Sequence, residues 1–380
     1  MLDVRQREIV RTLWEQGRLS RWELHERTGL TPNNVGSLAE SLLELGVLSE
    51  GTAEPSGAGR PRVPLEIDPL RRHVIGLAIA PGRVEACRVG LRGHPVGPSV
   101  SRPITDPSKV IPTATALLKK MMNADAMAIG LSVTGFVDAE KHAVLFSSAL
   151  PGKGPATLAP IYEAAGELPV VLENDMHAMA ARWMLTHRAA GQDVLLVLVE
   201  DGRLGAAMLI DGRPNRGCAT GGNELGHSRF FVDTQKCYCG HTGCLERIVS
   251  TEFLHRQHNH KRGPETLLQT TAQFTGDPDT HPALQTILKY LACGLANAVN
   301  FVRPHRLILV SPFTRTPAFA DALVRTIRGS VLVELADRVK IDFWDEPAAG
   351  SAETAGWLAL ADLFFGGWGA EGARAKIESA

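Results

Sequence analysis

The chain carries no net basic charge: 40 Lys and Arg stand against 41 Asp and Glu, a formal charge of -1. That excludes a protein that grips nucleic acid with its whole surface, so any phosphate contact has to come from a local patch. No apolar run reaches the ~18 to 20 residues that a membrane-spanning helix needs. The opening residues, MLDVRQREIV, are charged from the third onward, unlike a secretory leader. A soluble, cytoplasmic protein without a membrane partner is expected. Cysteine is scarce, and three of the six, Cys237, Cys239 and Cys244, fall together. Such clustering fits a reduced compartment with one metal site better than a disulfide framework. Cys87, Cys218 and Cys293 are then expected to be buried small hydrophobes. Low-complexity segments and short-period repeats are absent, which leaves room for a repeat only on the scale of half the body.

What is present is most informative between Asn223 and Glu246. Asn223-Glu224-Leu225-Gly226-His227 is followed ten residues later by Cys237-Tyr238-Cys239-Gly240-His241-Thr242-Gly243-Cys244-Leu245-Glu246. One histidine and three cysteines suit the four tetrahedral nitrogen and sulfur positions of a structural zinc ion, with no position left for water. His227, Cys237, Cys239 and Cys244 are the expected ligands. His241 reads as an exposed loop residue.

At the other end, residues 4–16 place Ile9, Val10, Leu13 and Trp14 at helical spacing, and Gly17 reads as a stop. Ser20 can cap a second helix, with Glu23 completing a capping box. After the Gly29-Leu30 turn, Thr31 caps a third helix with Pro32 in its first turn. Strands at 46–50 and 63–67, joined by GTAEPSGAGRPR, add a wing to this helix-turn-helix. DNA contacts are expected from Arg21, Thr31, Asn33, Asn34 and Ser37 around the recognition helix, since asparagine pairs with adenine. Arg60 and Arg62 on the wing suit a minor groove. The recognition helix has no Lys or Arg, and residues 1–50 carry eight acids against six arginines. Phosphate attraction therefore falls to Arg5, Arg21, Arg27 and the wing, and affinity should depend strongly on salt.

From Val74 onward, apolar runs such as VIGLAIA, AMAIGLSV, LPVVLEN, DVLLVLVE and RLILVS alternate with helical stretches, an α/β pattern.

With Glu-Leu-Gly-His, the CxCGxxGCLE pattern and the upstream winged helix in this order, the chain resembles the ROK family of repressors, open reading frames and sugar kinases. It looks most like the repressor branch that includes the xylose and N-acetylglucosamine repressors. The resemblance implies an N-terminal winged helix-turn-helix at 1–69 and a two-lobed, actin-like body with the ligand in its cleft. Its lobes would be 70–187 plus 352–380, and 188–351 with the zinc site. It implies sugar contacts at Asn174, Asp175, Glu224, His227 and Glu246, with Asp175 at the position of the kinases' catalytic base.

Where the kinases carry an aspartate and a glycine-rich phosphate loop, this chain has Ala78-Ile79-Ala80-Pro81-Gly82-Arg83. Their second phosphate segment is Asp201-Gly202-Arg203-Leu204-Gly205 here, and their adenosine-side loop is Val310-Ser311-Pro312-Phe313. Phosphoryl transfer rests on positioning and charge stabilisation, so these losses imply a body that does not catalyse. The expectation is a sugar-responsive repressor of carbohydrate genes. It would act as a homodimer or higher oligomer on operator DNA, with structural zinc; the alternative is an active sugar kinase carrying a DNA-binding head. Thr134, where many relatives have proline, and Ser147-Ser148-Ala149-Leu150, where relatives often have a sugar-contacting asparagine, are weak signs that the sugar site has changed too.

Overall fold

The computed structural model describes residues 2–53, 62–189, 191–200, 202–216, 221–232, 234–258, 269, 271–272, 274–275, 281–345 and 351–368. These fall into two compact units: the described residues of Met1–Arg188 and Ala349–Ala380, and those of Ala189–Gly217 and Gly221–Ala348.

The first unit begins with helix α1 (Val4–Gln16), strand β1 (Leu19–Ser20), helices α2 (Arg21–Thr28) and α3 (Pro32–Glu44), and strands β2 (Leu48–Glu50) and β3 (Pro64–Ile67). The caps read from the sequence form. The Ser20 amide donates to Glu23 Oε2 at 2.8 Å and the Glu23 amide to Ser20 Oγ at 3.3 Å, while Thr31 Oγ1 accepts from the Asn34 amide at 3.3 Å. Gly29 ends α2 with φ +70°, a left-handed conformation that costs other residues a Cβ clash. The strands pair antiparallel in the order β1-β3-β2, so the short Leu19–Ser20 segment adds a third strand to the two expected. Ile9, Leu13, Leu24, Val35, Leu42 and Leu65 are buried and fill the space between helices and sheet.

The same unit continues with β4 (His73–Ala80), β5 (Arg83–Gly90), β6 (Val100–Pro103), α4 (Val110–Met121), β7 (Ala126–Val133) and β8 (Phe136–Asp138). β9 (Ala143–Phe146), β10 (Ala156–Thr157), α5 (Ala159–Ala165), β11 (Val170–Asn174) and α6 (Asp175–Thr186) complete this run. β4, β7 and β11 are parallel, and β4, β5 and β6 form an antiparallel meander, giving the order β11-β7-β4-β5-β6. Every residue of β4 is buried, as its unbroken apolar run requires.

In the second unit, β12 (Val194–Glu200), β13 (Arg203–Ile210) and β14 (Arg213–Pro214) form the meander. β15 (Arg306–Val310) and β16 (Lys340–Phe343) lie parallel to β12, in the order β14-β13-β12-β15-β16. Counted from its own first strand, each sheet runs 3-2-1-4-5. The half-body repeat that the sequence left room for is therefore topological, carried by strand order rather than by sequence similarity. Helices α7 (Leu245–Ile248), α8 (Thr251–His258), α9 (Pro282–Val302), α10 (Pro317–Ser330) and α11 (Val333–Ala336) complete the unit.

The last helix, α12 (Ala352–Phe365), returns to the first unit and packs on β4 and β7. It approaches so closely that a Cβ on Gly76 would lie 1.8 Å from the Ala352 carbonyl oxygen, and one on Gly130 1.9 Å from that of Ala355. α1 packs on the outer side of α12. Trp14 stands edge-on to Trp357 at 5.9 Å and tilted on Phe364 at 5.5 Å, and its indole N–H donates to the Leu185 carbonyl at 3.1 Å. Leu185 lies in the last turn of α6, where a carbonyl has no intrahelical partner, so the indole satisfies that helix end.

Candidate functional site

In the first unit the site residues sit where β11 passes into α6. The strand ends at Asn174 and the helix starts at Asp175, so both are delivered to one edge by a buried element. Asn174 is the helix cap: its Oδ1 accepts from the Met176 amide at 2.8 Å, and its Nδ2 donates to the Gly135 carbonyl at 2.8 Å. One N–H and one lone pair are left for a ligand. Asp175 Oδ2 accepts from the Thr134 hydroxyl at 2.7 Å. Ser147 Oγ donates to the Thr134 carbonyl at 2.6 Å and accepts from the Ala149 amide at 3.1 Å. The two departures noted at Thr134 and Ser147 therefore belong to one network around Asp175. Behind it, His177 Nδ1 lies 2.8 Å from Glu173 Oε2, both fully buried; sequence reasoning missed this pair because it comes from an i,i+4 placement across the strand-helix junction.

Glu224, His227, Glu246 and the cysteines belong to the second unit. His227 ends a short 3₁₀ turn, Leu225–His227, and Cys244 directly precedes α7. The turn is anchored because Gly226 lies against β13: a Cβ there would sit 2.4 Å from the Leu204 carbonyl oxygen. Between the ligands the chain folds into a tight knuckle, with Cys237 N–H donating to His241 O at 2.7 Å and Gly240 N–H to Cys237 O at 3.0 Å.

One ligand atom from each of His227, Cys237, Cys239 and Cys244 lies within 4.8 Å of the others. Cys239 and Cys244 sulfurs are 3.6 Å apart, and Cys237 Sγ is 3.7 Å from His227 Nδ1. A tetrahedral ion with metal–sulfur bonds of ~2.3 Å sets its ligand atoms about 3.6 to 3.8 Å apart, so these edges fit. Burial pushes the Cys237 and Cys244 thiols up. Burial acts the same way on Cys239, but hydrogen bonds from the His241 backbone and side chain and from the other two thiols outweigh it and hold that thiol at about 6. Three crowded thiols thus do not ionise together on their own, and a cation is what would bring them all to thiolate. His241 is exposed and outside the group, as expected.

His227 Nε2 faces the other way, 3.0 Å from the Tyr238 hydroxyl and 3.5 Å from Glu224 Oε2. Glu246 is buried, its Oε1 2.9 Å from Cys237 Sγ and 3.6 Å from His227 Nδ1, on the metal side of the ring rather than the Glu224 side. Tyr238 is a site residue that sequence reasoning passed over; its position between two ligand cysteines was the available signal. Its ring is exposed, but loss of water around the hydroxyl, which faces His227, and then the Glu246 and Glu224 carboxylates push its phenol up.

The DNA-facing residues divide. Asn33, Ser37 and Thr31 are exposed and Asn34 half-buried at the start of α3. Ser37 Oγ returns to the Asn33 carbonyl at 3.1 Å, and Thr31 serves as the cap. Arg62 is exposed; Arg60 lies outside the described residues, as does Cys218. The Arg21 guanidinium bridges Glu40 at 2.7 Å and Glu50 at 3.0 Å, tying α2 to α3 and to β2, so a phosphate would have to compete with two carboxylates for it. Cys293 is half-buried rather than buried, on the flank of α9, while Cys87 is buried as expected.

At the positions matched to the kinases' nucleotide loops, Ala78 pairs across the β4-β5 ladder with Glu85, whose carboxylate lies 3.0 Å from Arg83 Nε and accepts from the Ala352 amide at 3.4 Å. Arg83 and Glu85 thus bring their own charges to the hairpin. Ser311 caps the turn that follows it, its Oγ accepting from the Phe313 amide at 3.2 Å. Arg203 reaches Glu200 at 3.5 Å. Asp201 lies outside the described residues.

Comparison with known proteins places these features in context. The model of the ROK family matches residues 87–363. The xylose repressor of Bacillus subtilis is 24% identical over 321 residues, 80% of this chain and 81% of its own. Among solved structures, a ROK family transcriptional regulator described as a homolog of the E. coli MLC protein has a TM-score of 0.78 at 20% identity, covering 95% of this chain and 97% of its own. The ROK hexokinase from Thermus thermophilus has a TM-score of 0.61 at 23% identity, covering 77% of this chain and 98% of its own.

Proposed function

The chain belongs to the ROK family, and from that premise we propose that it is a sugar-responsive, DNA-binding transcriptional regulator of the repressor kind. The observation that carries this reading is the difference in coverage. The hexokinase accounts for nearly all of itself with 77% of this chain, whereas the regulator structure spans 95%. The difference is about the size of the N-terminal helices and three-stranded sheet, which the family match at 87–363 does not include and to which we assign it.

In this reading residues 1–69 are a winged helix-turn-helix whose third helix presents Asn33, Asn34 and Ser37, with Arg62 and Arg60 on the wing. Residues 70–187 with 352–380, and 188–351, are the two lobes of the body. The protein acts as a homodimer or higher homo-oligomer, since winged helices usually read paired half-sites. The effector is a sugar, held by Asp175, by the remaining hydrogen-bonding capacity of Asn174, and by Glu224, His227 and Glu246, with a sugar hydroxyl taking the place of the Tyr238 hydroxyl on His227 Nε2. His227, Cys237, Cys239 and Cys244 would hold zinc; the ion would supply four coordination bonds that fix the Leu225–Glu246 segment, with no Lewis-acid task. Asp175, in the place of the kinases' base, works as a hydrogen-bond acceptor already engaged by Thr134. The protein is not a kinase, because Ala78 removes the metal-organising acid and the Arg83–Glu85 pair and Pro81 occupy the hairpin that would meet phosphates.

Operator fragments selected from genomic DNA by the purified protein should be released by one sugar of a panel that includes D-xylose, D-glucose and N-acetyl-D-glucosamine. That sugar should also raise thermal stability, by roughly 2.7 kcal/mol at about 100 times its dissociation constant. A protein that selects no DNA, or releases ADP from MgATP with one of these sugars, is something other than this regulator.

A further inference from the structure

We propose that the Tyr238 phenol holds the His227 imidazole with Nδ1 toward the three cysteine sulfurs, which makes Tyr238 a positioning residue of the metal centre. This inference rests on the metal reading of that cluster and adds a residue outside the ligand set.

His227 is only partly buried, so packing alone does not fix which face of its ring meets the sulfurs. The contacts on its two nitrogens do. Nδ1 is 3.7 Å from Cys237 Sγ, on the side of the cluster; Nε2 is 3.0 Å from Tyr238 Oη. When Nδ1 gives its lone pair to a cation, the ring proton must sit on Nε2, and that N–H needs an acceptor. Tyr238 oxygen is within the 2.7 to 3.2 Å range of an N–H···O bond, while Glu224 Oε2 at 3.5 Å is beyond it. The rings meet edge-on, centroids 5.1 Å apart at 76°, which points the hydroxyl at the nitrogen rather than stacking the faces. Tyr238 is itself 58% exposed, so the ring is not kept there for burial. Being flanked in the chain by two ligands, Cys237 and Cys239, it is placed by the same knuckle that places them. An outer hydrogen bond that orients a metal-bound imidazole is worth about 10- to 100-fold in metal affinity.

The test titrates zinc against a competing chelator into the wild-type chain, Tyr238→Phe, His227→Ala and the double variant, with cobalt substitution to read the ligand set. Tyr238→Phe should bind zinc about tenfold more weakly and give a cobalt spectrum shifted toward three sulfurs and water. In the His227→Ala background the same substitution should change nothing. Wild-type zinc affinity and an unaltered cobalt spectrum in Tyr238→Phe would overturn the proposal, as would an equal loss in the His227→Ala background. Absence of zinc uptake by the wild-type chain overturns the metal reading, and this inference with it; that failure is recognised because all four proteins then behave alike.

Discussion

Replacing Trp14 probes how the N-terminal helices are held to the rest of the first unit. Trp14 is 8% exposed, and its ring meets Trp357 and Phe364 while Arg92 lies 5.7 Å from its centroid. Truncating a buried tryptophan to alanine costs roughly 3 to 5 kcal/mol from lost transfer and the cavity left behind. Trp14→Phe keeps most of the ring but removes the N–H that satisfies the Leu185 carbonyl, and a buried acceptor left unsatisfied costs about 1 to 3 kcal/mol. A chain of two compact units need not unfold in one step, so a melting temperature alone does not isolate this contact. Hydrogen exchange of the 4–16 amides reports the local opening directly. At about 1.4 kcal/mol per factor of ten, exchange in that helix should rise roughly 10²- to 4 × 10³-fold in Trp14→Ala and about 5- to 100-fold in Trp14→Phe. Amides of the second-unit strand 194–200 should be unaffected. The reasoning is refuted if Trp14→Ala changes exchange over 4–16 by less than threefold, since α1 would then be held by something other than this contact.

Three further outcomes follow from particular contacts. Gly130→Ala drives a Cβ to within 1.9 Å of the Ala355 carbonyl; the helix and strand must part, at a cost of about 3 kcal/mol or more, and a thermal transition unmoved by this substitution would contradict the packing described. Arg21→Ala should cost under about 1 kcal/mol, as two partly exposed bridges are lost, and should leave the salt dependence of operator binding unchanged, whereas Arg62→Ala should reduce its slope by about 0.9. If Arg21→Ala lowers the slope instead, the guanidinium is a phosphate contact after all. Burial, followed by the Arg88 charge, lowers the His73 pKa below 6.5. The unfolded chain therefore takes up a proton first, so this residue's contribution is present above pH 6.5 and is lost as the pH falls through the lower folded value. His73→Gln should make the fall in stability below pH 6.5 shallower, measured by denaturant titration at stepped pH; an unchanged profile would dismiss His73 as its source.

Much of the fold was legible because the signals are short in range. Capping boxes at Ser20 and Glu23, the glycine stop at Gly29 and the apolar runs of β4 and β12 act over a few residues, and each appears where the chain alone placed it. The spacing of His227 and three cysteines was equally readable, since a tetrahedral ligand set leaves its mark in a window of about twenty residues. The two bridges of Arg21 were not legible for the opposite reason: its partners Glu40 and Glu50 lie far along the chain, and nothing local distinguishes a bridged arginine from a free one. Asn174 showed the same limit in milder form. The resemblance implied it as a sugar contact, and its Met176 and Gly135 contacts show that capping and packing take up half of its hydrogen-bonding capacity.

Periodicity, caps and ligand spacing determined on their own that this is an α/β protein with a small helical head and one histidine–cysteine cluster. Only the tertiary structure decided that Thr134 grips Asp175, that the Trp14 indole closes the end of α6, and that His227 turns Nδ1 to the sulfurs and Nε2 to Tyr238. Local hydrogen bonding is written in neighbouring residues, but which of two ring nitrogens faces inward, or which carbonyl a side chain from 171 residues away will reach, is settled only when separate elements pack against one another.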